Sequence, residues 1–132
     1  GKGDKNGFKL GGEGVAVPHI IKNSIAFNNG AVGFTSNSNP SVIAINNIAY
    51  NNAGGNLVFT SYSGIETKFV LDGFISYNTE GAPKDTVAGV LDSDANYLFD
   101  GTKSENKSGK EITEKEFIEK LLELITEIKS VK

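Results

Sequence analysis

Short apolar runs separated by polar, turn-forming residues set the rhythm of this chain, and one run recurs. Asn23-Ser24-Ile25-Ala26-Phe27-Asn28-Asn29 returns as Asn47-Ile48-Ala49-Tyr50-Asn51-Asn52 and, more loosely, as Asp72-Gly73-Phe74-Ile75-Ser76-Tyr77-Asn78. The aromatics Phe27, Tyr50 and Tyr77 are each followed by Asn, at intervals of 23 and 27 residues. Stacked repeats have periods of about 20–45 residues. Two other strand types accompany the first. One is Gly7-Phe8-Lys9-Leu10, Gly33-Phe34-Thr35 and Asn56-Leu57-Val58-Phe59. The other is Pro18-His19-Ile20-Ile21, Val42-Ile43-Ala44-Ile45 and Lys68-Phe69-Val70-Leu71. Three short strands per repeat make one coil of a parallel β-helix. The predicted class is all-β, a right-handed parallel β-helix with a C-terminal α-helix. An antiparallel sandwich shares the turn spacing; the motif returning at coil length favours the solenoid.

Stacking predicts ladders of Ile25, Ile48 and Ile75, and of Phe27, Tyr50 and Tyr77, with Asn28, Asn51 and Asn78 forming an asparagine ladder at a bend. The repeat decays after about Gly81, and residues 87–90 and 97–99 offer a last irregular coil. Residues 1–100 are thus expected as coils and 101–112 as a polar linker. Residues 113–131 are expected as an amphipathic helix capping the apolar end of the solenoid. Thr113-Glu114-Lys115-Glu116 has the form of a capping box. Phe117, Leu121, Leu124 and Ile128 recur at helical spacing. A coiled-coil seam is the rival for this helix, but the stripe is broader than a two-position seam.

Composition narrows the function classes. The chain has 132 residues, a net charge of −3 and no cysteine. Without a basic cluster, nucleic-acid binding has no electrostatic support. Disulfides and thiolate metal sites are excluded. No apolar run approaches the roughly 20 residues that span a bilayer. No leader segment is visible, and the repeats favour a chain that begins inside a longer one.

The string Asn6-Gly7-Phe8-Lys9-Leu10-Gly11-Gly12, with 18–29 and 33–39 after it, resembles polysaccharide lyase family 9 over roughly residues 3–80. The resemblance implies a secreted, calcium-dependent pectate lyase, of which this chain is the C-terminal part. It also implies that Lys9 is the Brønsted base. The base takes the C5 proton of a galacturonate in polygalacturonate, and the glycosidic oxygen leaves C4. A cation on the neighbouring carboxylate stabilises the developing charge, and calcium suits oxygen ligands. A free lysine titrates near ~10.4, and a nearby cation lowers that value, so an alkaline optimum is expected.

The family's calcium ligands are aspartates upstream of the lysine string. Only Asp4 precedes Lys9 here, so the calcium site is expected to be absent and the chain inactive alone. Lys22, Asn37 and Asn39 are candidates for substrate contact: Lys22 by its charge, the asparagines because they lie one coil after Lys9. His19 stands alone and reads as scaffold. Asp92-Ser93-Asp94-Ala95-Asn96 opens like a calcium loop, but Tyr97 stands where Gly is required and Lys103 where Glu is required; it reads as a turn. The competing functions are a non-catalytic solenoid that binds polysaccharide and a glycoside hydrolase. The latter needs two carboxylates flanking the bond, which the coils do not supply. An uncovered first coil invites self-association.

Overall fold

The computed structural model describes residues 5–12, 14–89 and 93–130. Asp4, Val90, Asp92 and the end of the expected helix at Val131 lie outside the described residues. In chain order the elements are β1 (Phe8–Lys9), β2 (Ile20–Lys22), β3 (Ile25–Phe27), β4 (Phe34–Thr35), β5 (Ile43–Ile45), β6 (Ile48–Tyr50), β7 (Leu57–Phe59), β8 (Val70–Asp72), β9 (Ile75–Tyr77), β10 (Thr86–Val87), β11 (Leu98–Phe99), β12 (Ser104–Glu105) and α1 (Glu114–Ser130). Three parallel sheets run along the stack: β1-β4-β7-β10, β2-β5-β8 and β3-β6-β9. The register is the one the repeat predicts. Ile25 pairs with Ile48 and Ile48 with Ile75, while Phe27 pairs with Tyr50 and Tyr50 with Tyr77.

The bends between strands explain the asparagines. Only two residues join β2 to β3 and β5 to β6, and the first of each is left-handed: Asn23 (φ 52°) and Asn46 (φ 57°). Asn adopts this region far more readily than most residues. In the third coil Gly73 takes the same place at φ 70°. Asn28 and Asn51 are left-handed too, and here the expected ladder needs correction. The stacked amides belong to the next residues, Asn29 and Asn52. Asn52 Oδ1 accepts from the Asn29 backbone N–H (3.0 Å) and from Asn29 Nδ2 (2.8 Å). Asn52 Nδ2 donates to Ala26 O and Asn56 Oδ1. Gly33 lies against this cluster; a Cβ there would stand 2.6 Å from Asn52 Nδ2. A second column repeats the device. Asn47 accepts from Ser24 N and donates to Ile21 O, as Asn96 does with Phe74 N and Leu71 O.

Strand side chains alternate between faces, and the two faces use different residues. The interior holds Phe34, Leu57, Phe59, Phe74, Ala44 and Ala49, all fully buried. The isoleucine and aromatic ladders of β3-β6-β9 face outward. There Ile48, Ile75, Tyr50 and Tyr77 pack against Ile112, Phe117, Leu121 and Leu124. Phe117 stacks on Tyr77 at 4.4 Å and meets Tyr50 edge-on at 5.4 Å. The helix therefore lies along the side of the stack and bridges coils, rather than over its end. Thr113 and Glu116 exchange the two bonds of a capping box, each at 3.0 Å. Residues 101–112, expected as a linker, are packed as well. β12 pairs with β11, Ser104 donates to Ser76 O, and Ile112 is buried under α1. The reason is that β9 would otherwise end the sheet with unpaired backbone groups and an open apolar face.

One partly buried position next to the core is a carboxyl. Thr86 pairs with Val58, which puts Asp85 opposite Leu57, in the inward column of Phe8, Phe34 and Leu57. Asp85 Oδ2 accepts from the Phe99 N–H, and the Asp85 N–H donates to Phe99 O, both at 2.8 Å. Burial pushes the carboxyl from its usual 3.8 up to about 6, against the opposing pull of Phe99, Ser76, Leu57 and Asn56. The last three lie near the carboxyl, yet no hydrogen bond of ordinary geometry reaches the sealed Oδ1.

Below about pH 4 the group is neutral in both states. Between about 4 and 6 the unfolded chain releases its proton while the fold keeps it, so stability falls as pH rises. The loss is on the order of 2–3 kcal/mol and is complete above about pH 6. Urea denaturation of the parent and of Asp85→Asn from pH 4 to 7 is expected to move the difference toward the variant by that amount. A difference that stays flat across this range overturns the assignment.

Candidate active site

Lys9 projects outward because its strand neighbours do not. Phe8 and Leu10 pack against the core cluster, and Phe8 stacks on Phe34 at 4.9 Å. The strand is fixed by Phe8 N–H to Gly33 O (2.8 Å) and Leu10 N–H to Thr35 O (3.0 Å). Lys9 is exposed and heads an outward row with Thr35, Val58 and Thr86.

The other candidates fall in different settings. Asn37 is at the same end of the sheet: its N–H donates to Thr35 Oγ1, and its Nδ2 donates to Gly11 O at 2.6 Å. Asn39 is fully buried. Its Oδ1 accepts from Val17 N and Ser41 N, and its Nδ2 donates to Leu10 O and Val17 O. Its amide is spent on pinning the loop after β1, with no donor or acceptor left for a sugar. Lys22 is exposed at the end of β2, in the row of Ile45 and Asp72. That is the outer face of a different sheet, so the fold does not bring Lys22 and Lys9 onto one wall. His19 is exposed, and its carbonyl accepts from Ile43 N. In the calcium-loop look-alike, Asn96 is buried and bonded to Phe74 and Leu71, while Asp94 accepts from Ser108. Asp72 accepts from Ser93.

Calcium is the metal that the resemblance implies. Among the described residues no group of three or more His, Asp or Glu is placed to hold an ion. The described carboxylates are scattered rather than clustered, so the described residues do not fit a calcium site. Among those residues, too, no helix is long and apolar enough to cross a membrane.

The loop after β1 also meets a residue with no signal in the repeat. Tyr62, 53% exposed, comes from the loop after β7. Its ring edge lies against Gly14, where a Cβ would stand 2.8 Å from Tyr62 Cδ2 and 2.9 Å from Ile65 Cδ1. Two loops two coils apart thus meet at the Lys9 end of the sheet. Nothing in the periodicity could have reported it, because the two loops share no repeated sequence.

A family model described as the Pel9A-like, right handed beta helix region matches residues 1–82. A pectate lyase L of Thermoclostridium stercorarium is 85% identical over the whole chain, which spans 11% of that protein. A pectate lyase L of Paenibacillus polymyxa is 36% identical over 87% of the chain, covering 24% of its own length. A pectate disaccharide-lyase of Dickeya chrysanthemi is 43% identical over 71% of the chain, covering 13% of its length. No solved structure matches. The chain thus spans only a small part of the curated relatives it matches. Because the matched model covers more than half of the chain, and covers the parallel coils that carry the lysine string, this chain belongs to the Pel9A-like right-handed β-helix family of polysaccharide lyase family 9.

Proposed function

We propose that this chain is the lysine-bearing segment of a secreted pectate lyase that cleaves polygalacturonate by β-elimination, with Lys9 as the base. The observation that carries the reading is the placement of Lys9, exposed on the outer wall of the β1 sheet within the region matched to the family. In its neutral form the Lys9 amine takes the C5 proton of a galacturonate. The C5–H electron pair becomes the second bond between C4 and C5. The C4–O4 bond breaks, and O4 leaves with its electron pair and gains a proton to become a hydroxyl. Asn37, at the end of the same sheet, would meet a neighbouring sugar. Asn39 and Lys22 are not needed in this arrangement.

When bound, calcium would neutralise the uronate carboxylate beside C5 and so ease loss of the proton. Its ligands would come from a longer protein, beyond the described residues. The test is the release of 4,5-unsaturated product from polygalacturonate, followed by ultraviolet absorbance. A full-length family member carrying this segment is expected to release it. The 132-residue chain alone is expected to release none, with or without added calcium. Turnover by the isolated chain overturns the division of labour, and no turnover by the full-length protein overturns the lyase reading.

A further inference from the structure

We infer that Tyr62 is a stacking platform for a pyranose ring of the same polysaccharide that passes Lys9, an inference that rests on the lyase reading. The ring is half exposed but not loose. One edge is set against Gly14 and Ile65, and the Tyr62 carbonyl accepts from the Ile65 N–H at 3.2 Å, closing the loop into a turn. Gly14 sits at φ 69°, a conformation that a side chain would strain, and a Cβ there would collide with the aromatic edge. The backbone is therefore shaped to admit this ring from two coils away.

An exposed tyrosine normally loses side-chain freedom when it binds. One already held in place does not, which is how preorganisation improves affinity. The surroundings suit the apolar face of a sugar. Val15, Val17 and Ile65 are exposed nearby in the same two loops, and Glu66 is paired with Lys68. Pyranose rings present C–H groups on one face, and aromatic rings bear a negative face that attracts them. Both loops leave the β1-β4-β7-β10 sheet at the end where Asn37 meets Gly11. Gly14 is five residues from Lys9, so their Cα atoms lie at most about 18 Å apart. A short oligosaccharide bound at Lys9 reaches Tyr62.

The test is binding of α-1,4-linked galacturonate oligomers to the 132-residue chain, followed by NMR shifts of the backbone amides in the two loops. The chain is compared with Tyr62→Ala and Tyr62→Phe, and a neutral glucan oligomer serves as control. Saturable shifts in both loops are expected, with affinity falling roughly tenfold in Tyr62→Ala and kept in Tyr62→Phe. Dispersed, parent-like spectra elsewhere show that the variants fold. Equal affinity of parent and Tyr62→Ala, or no shifts in these loops, overturns the platform and leaves the lyase reading to its own product assay. Tyr62-dependent binding of the neutral glucan but not of galacturonate overturns the proposal and counts against the galacturonate reading as well.

Discussion

Lys9→Ala in a full-length family member is expected to lower the formation of unsaturated product by about 100- to 10,000-fold, the usual weight of a positioned acid–base group. The fold should change little, since contacts of an exposed lysine are worth at most about 1 kcal/mol. Lys9 is exposed, and its strand is held by main-chain bonds of Phe8 and Leu10 that do not involve its side chain. Denaturation midpoints of parent and variant should therefore agree while turnover collapses. Lys9→Arg should be almost as inactive, because a guanidinium keeps the charge but does not give up its proton near neutrality. Added small primary amines should restore part of the Lys9→Ala rate, since they supply the missing lone pair. Ordinary turnover by Lys9→Ala would remove Lys9 as the base and place the base outside this string, leaving this segment a role in binding the polysaccharide.

Asn52→Ala is expected to be the most damaging single change to the stack, at about 3–5 kcal/mol. The residue is 1% exposed, and its amide makes four hydrogen bonds, to Asn29 twice, Ala26 O and Asn56 Oδ1. Alanine removes the amide from the Asn29 donors and from Ala26 O, while Asn56 Oδ1 keeps only the Asn52 backbone N–H at 3.3 Å, and each unsatisfied group costs about 1–3 kcal/mol before water or local relaxation recovers part of it. Asn28→Ala, one coil earlier and one position to the side, is the control. That site is exposed and left-handed, so only backbone strain of about 1–2 kcal/mol is at stake, and Asn28→Gly should cost less. A urea series that ranks Asn28→Ala as severe as Asn52→Ala would show that the amide column is not what holds the coils.

These contrasts mark what could be read from the amino-acid order and what could not. The pairing of Ile25 with Ile48 and Ile75 was legible because each coil repeats one short phrase. The face these residues occupy was not. In a three-residue strand, positions one and three share a side, and both sides of the Ile-Ala-aromatic strands are apolar. Ala26, Ala49 and Ser76 point inward because Phe34, Leu57 and Phe74 from other walls already fill the narrow interior. The larger residues are left for α1. The same crowding explains the one-residue error in the asparagine column: the left-handed residue makes the bend, and its successor turns inward to bond. The outward direction of Lys9 followed from Phe8 and Leu10 on either side. The commitment of Asn39, the separation of Lys22 and the meeting of Tyr62 with Gly14 depend on loops outside the repeat, where spacing carries no information.

The side-chain amides also impose an order of assembly. Asn47, Asn52 and Asn96 each close main-chain groups of the preceding coil, at separations of 23, 26 and 25 residues, and Asn39 does the same for the loop after β1, from 29 residues downstream. A coil is thus completed by its successor. On a ribosome adding about 5–20 residues per second, each newly made turn waits roughly 1–5 s for the amides that finish it. Growth from the amino end proceeds like a zip whose teeth always engage backwards, and a stalled ribosome would leave its latest turn ajar.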